Sequence, residues 1–308
     1  MITLFEPTPR VCPNQPMPKY PPMGNFFIKE IINWFNVQRL NKLTDIKAAT
    51  IDGYIVNNES TITRLMFKRE YQIQQHNNII SIEDLLNNNS GLFLNIEEVL
   101  KIKDDYKILA NYLGCGIDLL FLPKDYPLSA LDAENQRMIL YTIENPPLNI
   151  AKFSYISAND YAQRIYGFRG FDFRYSKPLI TANSYLECYF ANSLICNGRK
   201  NPYPGDLDLF LYDFNGIKII VEFKTHNLNT AINNESYDKY IQQDGRRLQV
   251  LFNLGGKLNS DVLFVFWGKT HDNIKLQLLS NKREMKQELV INKDSELLAK
   301  TMLDLCRL

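Results

Sequence analysis

Between Gly205 and Thr225 the chain reads GDLDLFLYDFNGIKIIVEFKT. Apolar and polar residues alternate with a period of two on both sides of Asn215-Gly216, the pattern of two strands joined by a tight turn. A three-residue loop of Phe214, Asn215 and Gly216, with Gly216 left-handed, sets the register. One face then opposes Leu207 to Phe223, Leu209 to Val221 and Leu211 to Ile219. That face is wholly apolar and must pack against a helix. The other face opposes Phe210 to Ile220, Asp208 to Glu222 and Asp206 to Lys224. Opposed Cβ atoms lie roughly 4.5–5.5 Å apart, so carboxylates placed beside Ile219, Ile220 and Val221 repel one another and resist ionisation. A divalent cation offsets both costs. Mg²⁺ takes oxygen ligands, usually one or two carboxylates with waters and a substrate phosphate. A neighbouring lysine can orient or deprotonate an attacking water, or stabilise charge on phosphorus. A two-residue loop shifts the register by one and parts Asp208 from Glu222, so the inference depends on the turn.

Working outward, the hairpin sits in a run of helices and strands. FRGFDFRYS, 168–176, alternates as a strand does, and a helix is expected from Pro178 to Cys196 with Leu186, Phe190 and Leu194 on one face. After the hairpin, a helix is expected from Tyr237 to Leu254, stopped by Gly255-Gly256. DVLFVFWG, 261–268, reads as a buried central strand, IKLQLL as another, and Asp294 opens a terminal amphipathic helix. This order predicts an α/β domain with a mixed sheet. Upstream, FFIKEIINWFNVQRL carries Phe27, Ile31, Trp34 and Phe35 at helical spacing. Seven of the fourteen prolines fall between Pro7 and Pro22, which predicts an extended arm. Pro146-Pro147 marks the expected boundary between an α+β region, 1–150, and the domain 151–308. No internal repeat is visible.

The 308 residues, 45 % hydrophobic and 22 % charged, suffice for one large domain or two. Lys and Arg number 35 against 34 Asp and Glu, a net charge of +1 that excludes a globally basic nucleic-acid binder but not a local basic groove. Residues 1–150 carry −3 and 151–308 carry +4, which places the positive potential with the hairpin. No apolar run reaches the ~18 residues of a membrane span, and MITLFEPTPR lacks a signal-peptide profile. Cys12, Cys115, Cys188, Cys196 and Cys306 are odd in number with no CxxC pair, which argues against a disulfide framework or a Cys-type zinc site. A soluble, cytoplasmic protein is expected. His76, His226 and His271 form no metal-ligand spacing, and no Ser-His-Asp set, P-loop or Rossmann fingerprint is present.

Pro204-Gly-Asp-Leu-Asp208, followed fourteen residues later by Glu222-Phe-Lys224, resembles the motif of the PD-(D/E)xK nuclease superfamily, whose fold is restriction-endonuclease-like. The resemblance covers about the last 130 residues. It implies that Asp208 and Glu222 ligate Mg²⁺ (or Mn²⁺ in its place) with the Phe223 carbonyl as a further ligand, and that Lys224 acts at the nucleophile. Asp208 is favoured over Asp206 because it opposes Glu222. In several branches a helix glutamate completes the metal site, a role that falls to Glu187; otherwise Glu187 is a surface carboxylate or a capping partner of Ser184. Asp206, Arg199, Lys200, Gln243, Arg246 and Arg247 are the candidate substrate contacts, the last three on the helix after the hairpin with Gln242. Thr225 and His226 either touch substrate or merely end the strand. Phe168, Arg169, Phe171, Phe173 and Arg174 either stack on bases or alternate into a core, the second being favoured.

The expected activity is Mg²⁺-dependent hydrolysis of phosphodiester bonds in nucleic acid, DNA being favoured over RNA, by an endonuclease of restriction or other defence type that leaves a 5′-phosphate. Residues 1–150 would serve recognition, dimerisation or partner binding, a homodimer being one expected arrangement. The alternatives are a non-catalytic binding or scaffolding protein on the same fold, or a nuclease acting on RNA, on junctions or transposon ends, or as a secreted toxin.

Overall fold

A computed structural model describes residues 2–5, 10–11, 24–73, 104–123, 137–144, 149–169, 181–182, 205–225, 230–268 and 270–308. In chain order the elements begin with β1 (Ile2–Phe5), β2 (Arg10–Val11), α1 (Gly24–Leu40), β3 (Lys47–Val56) and β4 (Ile62–Ile73). Next come α2 (Asp104–Leu113), β5 (Gly116–Pro123), β6 (Arg137–Glu144), β7 (Asn149–Ser157), α3 (Ala158–Arg169) and β8 (Thr181–Ala182). The hairpin strands are β9 (Gly205–Asp213) and β10 (Gly216–Thr225), followed by α4 (Asp238–Leu258), β11 (Asp261–Trp267), β12 (Asn273–Leu279), β13 (Met285–Asn292) and α5 (Ser295–Leu305). The class is mixed α/β, as the element order predicts.

The chain forms two compact units, and they are not its two halves. One is Met1–Lys19 with Thr63–Pro204; the other is Tyr20–Ile62 with Gly205–Leu308. The boundary expected at residue 150 is therefore displaced. Pro146-Pro147 lies outside the described residues, in the sequence between β6 and β7, which pair antiparallel from Glu144↔Asn149 onward. Meanwhile β3 pairs antiparallel with β9, Lys47 opposite Tyr212 and Ile51 opposite Leu207. Residues 63–204 are thus inserted between two neighbouring strands of the C-terminal unit.

In that C-terminal unit the strand order is β3-β9-β10-β11-β12-β13, antiparallel throughout except for the parallel β10–β11 pair that α4 connects. One sheet face buries Leu209, Leu211, Ile219, Val221, Leu263, Val265 and Trp267. Against it pack Phe27, Ile31 and Phe35 of α1 and Leu298, Ala299 and Met302 of α5. Trp34, expected on the same helical stripe, is only partly buried there. Full burial of such side chains contributes about 1.5–3 kcal/mol each, enough to hold polar residues on the opposite face at a cost. That opposite face carries α4. Phe264 stacks on Tyr237 and Phe266 on Tyr240, with ring centroids 5.7 and 6.0 Å apart.

The hairpin turn differs from expectation. Gly216 pairs with Asp213 and Ile217 with Tyr212, so the loop has two residues, Phe214 and Asn215. Asp213 Oδ1 accepts the Asn215 N–H at 2.7 Å, and Gly216 takes a φ of +135°. Such a loop shifts the register by one, but a bulge at Lys218 shifts it back. Beyond it Ile219 opposes Leu211, Ile220 opposes Phe210 and Val221 opposes Leu209, the pairs that the sequence predicts. Two irregularities cancel.

Other elements correct the sequence reading. Phe168 and Arg169 end helix α3 instead of opening a strand, while 170–176 lies outside the described residues. Tyr161, Ile165 and Phe168 follow helical spacing, and Ser157 caps the start by accepting the Asp160 N–H at 3.0 Å. Helix α4 runs through Gly255-Gly256 to Leu258 and ends at left-handed Asn259. At Gly255 an added Cβ would meet the Ser260 carbonyl at 2.9 Å, so this glycine permits a close approach instead of a stop. Within the helix expected at 178–196, Thr181–Ala182 instead form strand β8, paired with β2; the rest of that stretch and most of the proline-rich arm lie outside the described residues.

The inserted unit has an order of its own that the sequence conceals. Strand β4 pairs in parallel with β5 through α2, β5 pairs antiparallel with β6, β6 with β7, and α3 follows. This is the sequence of pairings seen in β10-α4-β11-β12-β13-α5. The topology repeats although no repeat is legible in the residues. Strand β1 adds to β4, and β2 pairs with β8 in a separate ribbon.

Candidate active site on the hairpin face

Past Val221↔Leu209 the β9–β10 ladder opens. The Phe223 N–H donates to Asp208 Oδ2 at 2.8 Å, while the Leu207 carbonyl accepts from Thr50 Oγ1 at 3.0 Å. The Asp208 carboxylate is thereby tied to the strand that carries Glu222 and Lys224. Glu222 is 1 % exposed, and Lys224 is also buried. Lys224 Nζ lies 3.0 Å from Glu222 Oε1 and 5.1 Å from the centroid of the Tyr240 ring. The Tyr240 hydroxyl donates to Glu235 Oε2 at 3.1 Å, which steadies the ring from its far end.

From α4, Arg247 spans both acids. Its Nη2 donates to Glu222 Oε2 at 3.0 Å and lies 3.7 Å from Asp208 Oδ1, and its Nε is 2.9 Å from Glu222 Oε1. Two carboxylates facing one guanidinium must lie on one side of the sheet. Asp208, Glu222 and Lys224 thus converge on the face beneath α4. The oxygens able to hold a cation here are those of Asp208 and Glu222.

The other candidates divide. Arg247 belongs to the cluster. Arg246, one residue earlier, turns elsewhere and donates to the Asn58 carbonyl at 3.4 Å; partial burial lowers its pKa. Gln242 and Thr225 are exposed. Glu187, Arg199, Lys200 and His226 lie outside the described residues, as do the side chains of Asp206 and Gln243. Among the described residues no group of three or more His, Cys, Asp or Glu gathers as a metal site. Tyr240 escaped the sequence reading. Its spacing of seven from Arg247, two helical turns on one face, was the signal available.

The repeated topology identifies the counterpart of this site in the inserted unit. Counting from the first parallel pair of each unit, Arg64↔Gly116 and Ile219↔Asp261, Phe67 and Arg69 stand where Glu222 and Lys224 do. Phe67 meets Tyr106 of α2 edge-on at 5.5 Å, so it faces the crossover helix as Glu222 faces α4. An aromatic ring replaces the buried carboxylate there. On the opposite face of that sheet, Asp118 is fully buried and accepts from Arg64 Nε at 2.7 Å, Tyr161 Oη at 3.1 Å and Arg164 Nε at 3.3 Å. Burial, then the Asp118 charge, raises the Tyr161 hydroxyl well above its ordinary pKa and keeps it a donor. Phe168 has Arg64 and Arg164 over its ring at 5.0 and 4.9 Å.

No family model and no curated protein matches the chain. Among solved structures, the crystal structure of a sex pheromone staph-cAM373 precursor is similar at 10 % identity and a TM-score of 0.21, over 91 % of this chain and 100 % of that one. A likeness that slight bears on neither fold nor chemistry. No helix among the described residues is long and apolar enough to cross a membrane.

Proposed function

We propose that the chain is a Mg²⁺-dependent endonuclease that hydrolyses DNA phosphodiester bonds, of restriction or other defence type, on a restriction-endonuclease-like core formed by residues 20–62 and 205–308. The observation that carries this reading is the convergence of Asp208, Glu222 and Lys224 on one face of a buried strand pair, with the Lys224 ammonium 3.0 Å from the Glu222 carboxylate. The mixed sheet, its crossover helix and the helices on both faces support the fold. A structural ion pair has no need of a second acid on an otherwise apolar hairpin.

The donor set fits a hard cation. Asp208 and Glu222 would offer carboxylate oxygens, which already share one positive group, and waters would complete such a shell. A bound Mg²⁺ would supply a water of lowered pKa and would offset charge on the phosphoryl oxygens. Lys224 would be placed to orient an attacking water or to donate to a non-bridging phosphoryl oxygen. Glu222 holds the ammonium in place, and the Tyr240 ring limits its swing.

One such acidic pair is present among the described residues, and Phe67 stands at its counterpart. One chain therefore cuts one strand at a time. Supercoiled plasmid, linear duplex, single-stranded DNA and RNA, each with Mg²⁺ or chelator, test the reading. Mg²⁺-dependent scission of DNA is expected, with nicked circles accumulating before linear product. Intact substrates in every Mg²⁺ lane contradict it, and would favour the second reading. That second reading, a non-catalytic nucleic-acid-binding protein, is supported by Arg247, whose guanidinium already reaches both acids.

A further inference from the structure

We infer that Arg247 is an exchangeable counter-cation: it holds the place between Asp208 and Glu222 in the metal-free protein and turns out when a divalent cation binds. The inference rests on the nuclease reading and goes beyond a substrate-contact role. Three contacts place the guanidinium on both acids, at 2.9 and 3.0 Å from Glu222 and 3.7 Å from Asp208. Lys224 lies on Glu222 alone of the two acids, whereas Arg247 reaches both, so it is the cation that already occupies the place between them.

The same position is where a metal shared by the two carboxylates must sit, so the two cations exclude each other. Arg247 also has somewhere to go. Its side chain is 35 % exposed, against 1 % for Glu222, and it springs from α4, whose outward residues Gln242 and Arg246 are exposed. Lys224 cannot replace it as the exchanging group, because its ammonium is buried between Glu222 and the Tyr240 ring. An arginine released at the mouth of the site becomes available to a phosphate at the moment the metal arrives, which couples metal loading to substrate binding.

Titration of the full chain with Mn²⁺, followed by calorimetry and by the loss of the free-ion spin-resonance signal, tests this without reference to turnover. Metal binding to the wild type must break the charge-assisted hydrogen bond from Arg247 to Glu222 and its ion pair with Asp208, so R247Q is expected to bind Mn²⁺ about tenfold tighter. R247K, which keeps the charge but loses the guanidinium that reaches both acids, should fall between. Mn²⁺ should raise the melting temperature of R247Q more than that of the wild type, because the variant binds it more tightly. Equal or weaker Mn²⁺ binding by R247Q overturns the inference; if the wild type still cleaves DNA in that case, the nuclease reading stands. Absence of both Mn²⁺ binding and cleavage in wild type and variant alike removes the two together.

Discussion

Replacing Lys224 by alanine is expected to reduce Mg²⁺-dependent DNA cleavage by about 10²–10³-fold or more, the usual cost of losing one group that stabilises developing charge. The fold should survive. Lys224 lies near the exposed end of β10, beside Thr225, and its removal leaves Glu222 paired with Arg247. Mn²⁺ affinity should change little, since the carboxylates remain. Single-turnover cleavage, the circular dichroism melt and Mn²⁺ titration separate these effects. Wild-type cleavage by K224A, or loss of activity that merely follows loss of fold, contradicts the assigned role.

Asp118→Ala is expected to have the largest effect on stability. Asp118 is 0 % exposed and Arg64 only 3 %, and the carboxylate collects two guanidiniums and the Tyr161 hydroxyl. Removing it leaves Arg64 with Glu144, whose side chain is 55 % exposed, and with backbone carbonyls at 3.3 and 3.5 Å. Breaking a buried ion pair from one side costs about 3–5 kcal/mol, and Tyr161 loses its acceptor as well. Asp118→Asn keeps the shape and one acceptor and should lose less. A urea midpoint for D118A equal to that of the wild type contradicts this account of the network.

How much of this was legible beforehand follows from the range of each interaction. Leu207, Leu209, Leu211 and their partners announce a hairpin because strand alternation is local. Phe27, Ile31 and Phe35 announce α1 for the same reason. The bulge at Lys218 was not legible: Phe214-Asn215-Gly216 suits a two- or a three-residue loop, and only the pull of the apolar face into the core selects a bulge that restores the register. The insertion of 63–204 depends on Lys47 meeting Tyr212, a pairing across 165 residues that leaves no local mark. Asp118, Arg64 and Lys68 read as solvated charges in a sequence, yet all three are buried. At the site itself, the acids and the lysine were legible from their spacing. The role of Arg247 was not, because a row of Gln and Arg on α4 is equally consistent with solvent, and Arg246 shows how differently its neighbour turns.

The central claim is that Asp208 and Glu222 jointly hold one divalent ion beneath α4. Anomalous scattering from a Mn²⁺-soaked crystal tests it directly. The account predicts a peak between the two carboxylates, with Arg247 turned away from them and Lys224 still beside Glu222. Arg247 bridging both acids with no peak between them, in a crystal soaked at saturating Mn²⁺, would contradict it.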